Sequence, residues 1–356
     1  MSPLAVVHER LANQRLVGPR YARPADAVEW LGAVQAQDYR GSLWGVGLRT
    51  RAATELDVER AIAERAIVRT WPMRGTLHLV ASKDVRWMLR HLAPRVLARS
   101  RGRHRQLELD EATFAKSGAR LGRALEGGRA LTRPEAFAEL ERAGIATSGQ
   151  RGIHILGALA MQGLLCLGAR RGRQPTFVLL DEWLPRSRAL ERDEALGELA
   201  RRYFTSHGPA TPVDFSWWSG LPLGEARRAV ELAGKTLVKR GPAGDTWSAT
   251  PPRTGARATV AHLLPPWDEF TVAYRDRAAF LEAAHAKRAG NGIFSVVTID
   301  GRVAGTWRRQ EKAGAVRVRV QLFEPPGAAV HGALERAVSR FARFVGLPGS
   351  LSLGAT

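Results

Sequence analysis

The chain is poor in cysteine, in lysine and in acid. Its single cysteine, Cys166, excludes an internal disulfide and any zinc site built on several thiolates. A reducing cytoplasm is the simplest compartment for it. The nine histidines, scattered from His8 to His331, form no HxxxH or HxH pair, so neither a metal nor a cofactor is expected. No run of about 20 apolar residues exists, so a membrane span is not expected. The stretch MSPLAVVHERLANQRL carries Glu9 and two arginines on a helical pattern and lacks the long apolar run of a signal peptide. Also missing are a P-loop, a GxSxG elbow and a GxGxxG turn after a strand, which removes the commonest nucleotide and hydrolase signatures.

What is present is arginine. Lys plus Arg number 54 against 34 Asp plus Glu, a net charge of +20, and lysine occurs only at positions 83, 116, 235, 239, 287 and 312. A GC-rich genome alone inflates arginine, but an excess of this size makes a polyanion the first partner to consider. The planar guanidinium fork donates two hydrogen bonds at once to a phosphate. With 356 residues and 45% hydrophobic content, the chain can bury a sizeable core and suits two to four modules.

One local grammar occurs three times: a helix with a small-residue face, a short apolar strand, then basic or Gly-rich residues. The copies are 57–69 (DVERAIAERAIVR), 152–171 (GIHILGALAMQGLLCLGARR) and 224–240 (GEARRAVELAGKTLVKR). Before the second, Thr132-Arg133-Pro134-Glu135 reads as a capping box with Pro at the helix start, and Thr211-Pro212-Val213-Asp214 repeats it before the third. Each copy leads into a hairpin: AIVRTW to TLHLV across Pro72-Met73-Arg74-Gly75, Leu164–Leu167 to TFVLL across a basic turn, and LVKR to TWS across Gly241-Pro242-Ala243-Gly244-Asp245. Helix, short helix, helix and hairpin is the order of a winged helix. The helical, basic region 90–126 is expected to link the first two copies.

After about residue 250 the texture changes. Pro251-Pro252 and Pro265-Pro266 break the chain, and strand-like runs follow at 293–299, 303–307 and 316–323. Asp300-Gly301 is a tight hairpin turn. VRVRVQLF alternates apolar residues with Arg, which predicts one buried and one wet, positive face. A last helix is expected near 327–345, with Gly346-Leu347-Pro348-Gly349 read as a tail.

The segment Val34-Gln35-Ala36-Gln37-Asp38-Tyr39 closes an apolar helix expected at Ala25–Val34. Two glutamines two residues apart point about 200° apart on a regular helix. They face one site only if the helix ends or distorts there, which Gly41 and Gly45 make feasible. Gln35-Ala36-Gln37-Asp38 with Ser42-Leu43-Trp44-Gly45 resembles the QΦQ signature of the AlkZ family of bacterial DNA glycosylases. So do RTWPMRGTLH at 69–78, Gln174-Pro175-Thr176-Phe177, and LLPPWDEF at 263–270, so the similarity spans nearly the whole chain. Gln rather than Asp at the second motif position sets it with that family rather than its YcaQ branch.

The resemblance implies an α+β fold of three tandem winged helices in a C-shaped arrangement with a C-terminal β-rich subdomain. The expected segments are 1–90 with the QΦQ motif, 91–185, 186–250 and 251–356. It also implies a monofunctional glycosylase that hydrolyses N7-alkylguanine adducts from double-stranded DNA, some members unhooking interstrand crosslinks and several protecting antibiotic producers. The catalytic pair maps onto Gln35 and Gln37. Asp38 reads as structural, and no Schiff-base lysine sits beside the motif. The DNA-binding candidates are Arg69, Arg74, Arg170, Arg171 and Arg173, the last three forming the basic turn of the second hairpin. A monomer without membrane contact is expected. The competing readings are a winged-helix transcriptional regulator and a lesion-binding protein without catalysis.

Overall fold

Helix starts in this chain are written in their first residues. A computed structural model describes residues 2–185, 187, 189–240, 245–249 and 259–354. The Thr132 backbone N–H donates to Glu135 Oε2 at 2.7 Å, opening the helix Arg133–Arg142 as a capping box. The Thr211 N–H donates to Asp214 Oδ2 at 3.0 Å while the Asp214 N–H donates to Thr211 Oγ1 at 3.1 Å, opening Pro212–Ser219 the same way. Each short helix is followed by another, Arg151–Met161 and Leu223–Ala233, and then by a hairpin.

The chain divides into two compact units. One is formed by the residues up to Val58 together with those from Leu196 onward; the other is Glu59–Ala195. Where the sequence suggests four consecutive segments, this division places the two ends of the chain in one body.

In the Glu59–Ala195 unit, strands run in the order Thr76–Ala81, Ile67–Met73, Leu165–Leu167, Thr176–Leu179, Leu131–Thr132, every described pairing antiparallel. The helices Val85–Gln106, Glu111–Leu125, Arg133–Arg142 and Arg151–Met161 belong to this unit. Leu121, Leu140, Leu156 and Phe177 pack in its core. The first hairpin departs from expectation. Its leading strand continues through Pro72 to Met73, and the turn is only Arg74-Gly75, both with positive φ (58° and 75°). Pairing skips between Thr70 and Met73, where Pro72 has no N–H to give to a ladder.

The other unit carries a five-stranded sheet in the order Gly349–Leu353, Ala315–Leu322, Arg302–Lys312, Val296–Ile299, Ala261–Leu264. Ala315–Leu322 alternates exposed and buried along its whole length, as the VRVRVQLF pattern requires. Asp300 and Gly301 both take positive φ (49° and 83°), so Ile299 pairs directly with Arg302. Two expectations are corrected. Residues 293–295 are not strand: the Ile293 carbonyl accepts from the Trp267 N–H at 3.3 Å instead of a ladder partner, and the strand begins at Val296. The 346–349 segment is no tail. Gly346 caps the helix Ala328–Val345 in the left-handed conformation (φ 71°), and Gly349–Leu353 pairs in parallel with Ala315–Leu322. The third hairpin pairs Leu237–Arg240 with Thr246–Ala249; its turn at 241–244 and the Pro251-Pro252 break lie outside the described residues. Among the described residues no helix is long and apolar enough to cross a membrane.

The ends of the chain are joined by a buried ion pair. Arg49 and Asp268 are each 1% exposed, and the guanidinium grips both carboxylate oxygens at 2.8 Å. Arg49 also donates to Gly45 O and to Gln14 Oε1, each at 2.8 Å. Breaking such a pair strands a charge away from water. We expect Asp268→Ala to cost roughly 3–5 kcal/mol in urea unfolding, and the joint replacement Arg49→Met with Asp268→Leu to recover part of that loss.

Candidate active site

The helix expected at Ala25–Val34 ends three residues early. It spans Pro24–Leu31, and Gly32 takes a φ of 80° that closes it. A Cβ at Gly32 would stand 3.4 Å from the Trp218 indole, so glycine here both reverses the chain and admits a close neighbour. Beyond it the chain is extended, with Val34–Gln35 a short strand. Extended backbone sends alternate side chains to opposite sides. Val34 and Ala36 are buried, Gln35 is half-buried and Gln37 is exposed. The two glutamines therefore share one side, as they cannot on a continuous helix. Gln35 Nε2 donates to Gln37 Oε1 at 2.6 Å.

Asp38 ends the extended stretch. Its carboxylate accepts from the Gly41 N–H at 3.0 Å and caps the helix Tyr39–Gly47, the structural role expected of it.

The anchor of the segment comes from far along the chain. The Gln35 backbone N–H donates to Glu269 Oε1 at 2.9 Å. Glu269 is fully buried, and its Oε2 accepts from Trp218 Nε1 at 2.9 Å. His207 Nε2 lies 3.4 Å from the same oxygen, and its Nδ1 is 2.8 Å from Ser206 Oγ. Burial holds the His207 imidazole below its usual range despite the pull of Glu269, so it is neutral at pH 7. Gln14 Nε2 donates to the Glu269 carbonyl at 3.3 Å and to Tyr274 Oη at 3.1 Å. Sequence reasoning passed over Glu269, His207, Trp218 and Gln14. The available signal was the adjacent acids Asp268-Glu269 inside an apolar run, because a carboxylate buried there must find donors.

The five arginines lie in the Glu59–Ala195 unit. Arg69 is only 9% exposed, within the strand Ile67–Met73, a poor position for meeting a phosphate. Arg74 sits in the tight turn with its Nη2 3.0 Å from His78 Nε2; His78 Nδ1 donates to the Thr76 carbonyl at 2.9 Å, leaving Nε2 as the acceptor. Arg170, Arg171 and Arg173 do share the turn of the second hairpin. Arg170 pairs with Glu59 at 3.4 Å and Arg171 with Glu135 at 2.7 Å, so these two must exchange a carboxylate for any phosphate. Arg171 and Arg173 are exposed. Among the described residues there is no group of three or more His, Cys, Asp or Glu that could hold a metal ion.

The arrangement is a pair of hydrogen-bonded neutral amides on an exposed edge, held by a buried carboxylate. Such a pair can orient a water molecule but cannot take its proton at neutral pH.

Comparison with known proteins places this geometry in context. The family model described as "DNA glycosylase AlkZ-like" matches residues 28–344. An interstrand DNA cross-link repair glycosylase of Streptomyces sahachiroi is 29% identical over 331 residues, covering 84% of this chain and 85% of that protein. The solved structure of the Streptomyces sahachiroi DNA glycosylase AlkZ superimposes with a TM-score of 0.78 at 24% identity, covering 99% of this chain and 100% of that one, a likeness of fold.

If Glu269 fixes the motif as described, the Gln35 amide proton is protected from exchange. Losing a hydrogen bond to a charged group is worth about 1.5–3 kcal/mol, so Glu269→Ala is expected to speed its exchange roughly ten- to hundredfold. Glu269→Gln keeps an acceptor and preserves the protection. Exchange at Leu43 in the same spectra reports whether the fold survives.

Proposed function

The chain belongs to the AlkZ-like DNA glycosylase family, and we propose that it hydrolyses the N-glycosidic bond of N7-alkylguanine in duplex DNA, including the bulky and crosslinked adducts suggested by the name of its Streptomyces sahachiroi relative. The observation that carries this reading is the Gln35–Gln37 contact at 2.6 Å on an exposed edge.

Alkylation at N7 places a positive charge on the base. When the C1′–N9 bond breaks, its electron pair returns to N9 and the base leaves neutral, so no strong proton donor is needed. What remains is an oxocarbenium-like sugar and the need for one well-placed water. The Gln37 carbonyl has two lone pairs; one accepts from Gln35, and the other accepts from the water. That hydrogen bond turns a water lone pair toward C1′, while the carbonyl dipole favours the positive charge developing there. The C1′–O bond then forms, and the proton passes to solvent from an oxygen made acidic by its bond to the sugar. Gln35 holds Gln37 in register and adds a contact to the water or the sugar-phosphate. The products are a free 7-alkylguanine and an abasic site, with no covalent enzyme intermediate.

The three hairpin-bearing segments are read as winged helices 1–90, 91–185 and 186–250. Their support is the helix, helix, hairpin order of the second and third. Binding rests on arginine–phosphate contacts, for which Arg74, Arg170, Arg171 and Arg173 remain the candidates and the buried Arg69 the weakest.

The test is incubation with duplex carrying 7-methylguanine or a bulky N7 crosslink, mass analysis of released bases, and alkaline cleavage at abasic sites. Gln37→Ala should leave duplex binding within about threefold and lower excision by roughly a hundredfold or more, the usual effect of removing one oriented polar group from a reacting centre. Near-normal excision by Gln37→Ala overturns the assignment. Binding without released base returns the protein to the regulator or lesion-binder reading.

A further inference from the structure

At the other end of the helix Tyr39–Gly47 lies a cavity of about 260 Å³. Its lining includes Arg20, Arg51, Arg340 and Arg343, the aromatic rings of Trp44 and Phe344, and no carboxylate. Arg20 Nε donates to Leu48 O at 3.0 Å and Nη2 to Leu16 O at 3.1 Å. Arg340 Nη2 donates to the carbonyls of Gly47, at 3.3 Å, and Leu48. The contacts to Gly47 and Leu48 cap the end of the helix. They do not balance the charge: a helix C-terminus supplies only about half a negative charge, and four guanidiniums line the cavity.

The imbalance is visible in the neighbouring groups. Burial and the nearby cations Arg20, Arg49 and Arg343 draw Arg340 down to about 9. Burial, with a smaller push from Arg340, Arg20 and Arg49, holds His262 down to about 3. Arg49 itself is matched by Asp268; the cavity cations have no such partner in its lining. Cations gathered in a partly dry recess repel one another, and an anion entering it relieves that cost.

We propose that this cavity binds a phosphate group. Guanidinium forks suit phosphate oxygens, and the recess is smaller than the roughly 300–1,000 Å³ pockets that enclose drug-sized ligands, which favours phosphate or pyrophosphate over a whole nucleotide. Arg51 and Arg343 are exposed and accessible to an incoming anion. The phosphate has two sources, a free inorganic anion or the phosphodiester of DNA, and the site stands independently of the glycosylase reading.

The experiment uses the full chain and the double variant Arg51→Gln with Arg343→Gln. Both residues are exposed, so the variant should fold, which its circular dichroism and Tm in KCl verify. Inorganic phosphate and pyrophosphate are titrated against KCl at equal ionic strength, with Tm as the readout. In parallel, affinity for an unmodified duplex is measured across a salt series. A saturable Tm rise in the wild type, with at least tenfold weaker apparent affinity in the double variant, supports a site for the free anion. No such rise, but a log-affinity against log-salt slope shallower by about 0.9 in the variant, supports the phosphodiester, since each neutralised phosphate contributes about 0.9. Equal responses of both proteins in both measurements overturn the proposal, because the anion effect is then general.

Discussion

The candidate site depends on one contact made by a backbone amide. Gln35 donates its N–H to a fully buried carboxylate 234 residues away, and that acceptor holds the extended stretch between Gly32 and Asp38 at its depth. Burying a carboxylate costs several kcal/mol in lost hydration unless donors surround it. Donors at Glu269 include the Gln35 amide and the Trp218 indole, with the His207 imidazole beside them. The same atoms thus solve two problems, satisfying the carboxylate and setting the register in which Gln35 and Gln37 emerge on one side.

The residues around Glu269 serve the same end. Trp44 Nε1 donates to the Leu263 carbonyl at 2.6 Å, Trp307 Nε1 to the Leu264 carbonyl at 2.7 Å, and Arg49 to the Asp268 carboxylate. The segment LLPPWDEF therefore acts as a bank of acceptors for donors brought from elsewhere in the chain. Trp267 takes a φ of 56°, costly for a residue with a bulky side chain. That turn directs Asp268 and Glu269 inward in succession, one toward Arg49 and one toward Gln35.

Local chemistry was legible in the sequence and distant pairing was not. The capping boxes at Thr132 and Thr211, the Asp300-Gly301 turn and the alternation of VRVRVQLF are each complete within a few residues, and each formed where the pattern placed it. The helix before the motif overran in the sequence reading because Ala33 and Val34 continue an apolar run; only the conformation of Gly32 marks the end. The 346–349 segment lacked meaning until the strand beside which Gly349–Leu353 lies was known. The glutamines themselves were legible through resemblance to a family. Their holder Glu269 was not, because a hydrogen bond to a backbone N–H imposes no side-chain type at position 35.

This last point separates two jobs within the motif. The backbone of residue 35 is committed to Glu269, which leaves its side chain to act on Gln37. An exposed glutamine alone samples many rotamers, and fixing one costs up to about 1.5–2 kcal/mol of entropy. The amide–amide hydrogen bond offsets part of that cost before any ligand arrives. On the proposed reading the pair therefore meets DNA with the Gln37 carbonyl already oriented, so little binding energy is spent on aligning it. A carboxylate in place of Gln37 could take a proton, but on the proposed reading the base is already cationic and primed to leave, and orientation rather than basicity is what the reaction needs. On the same proposal the neutral pair also avoids placing a negative charge against the phosphate backbone, a repulsion that the arginine excess of the chain would otherwise have to overcome.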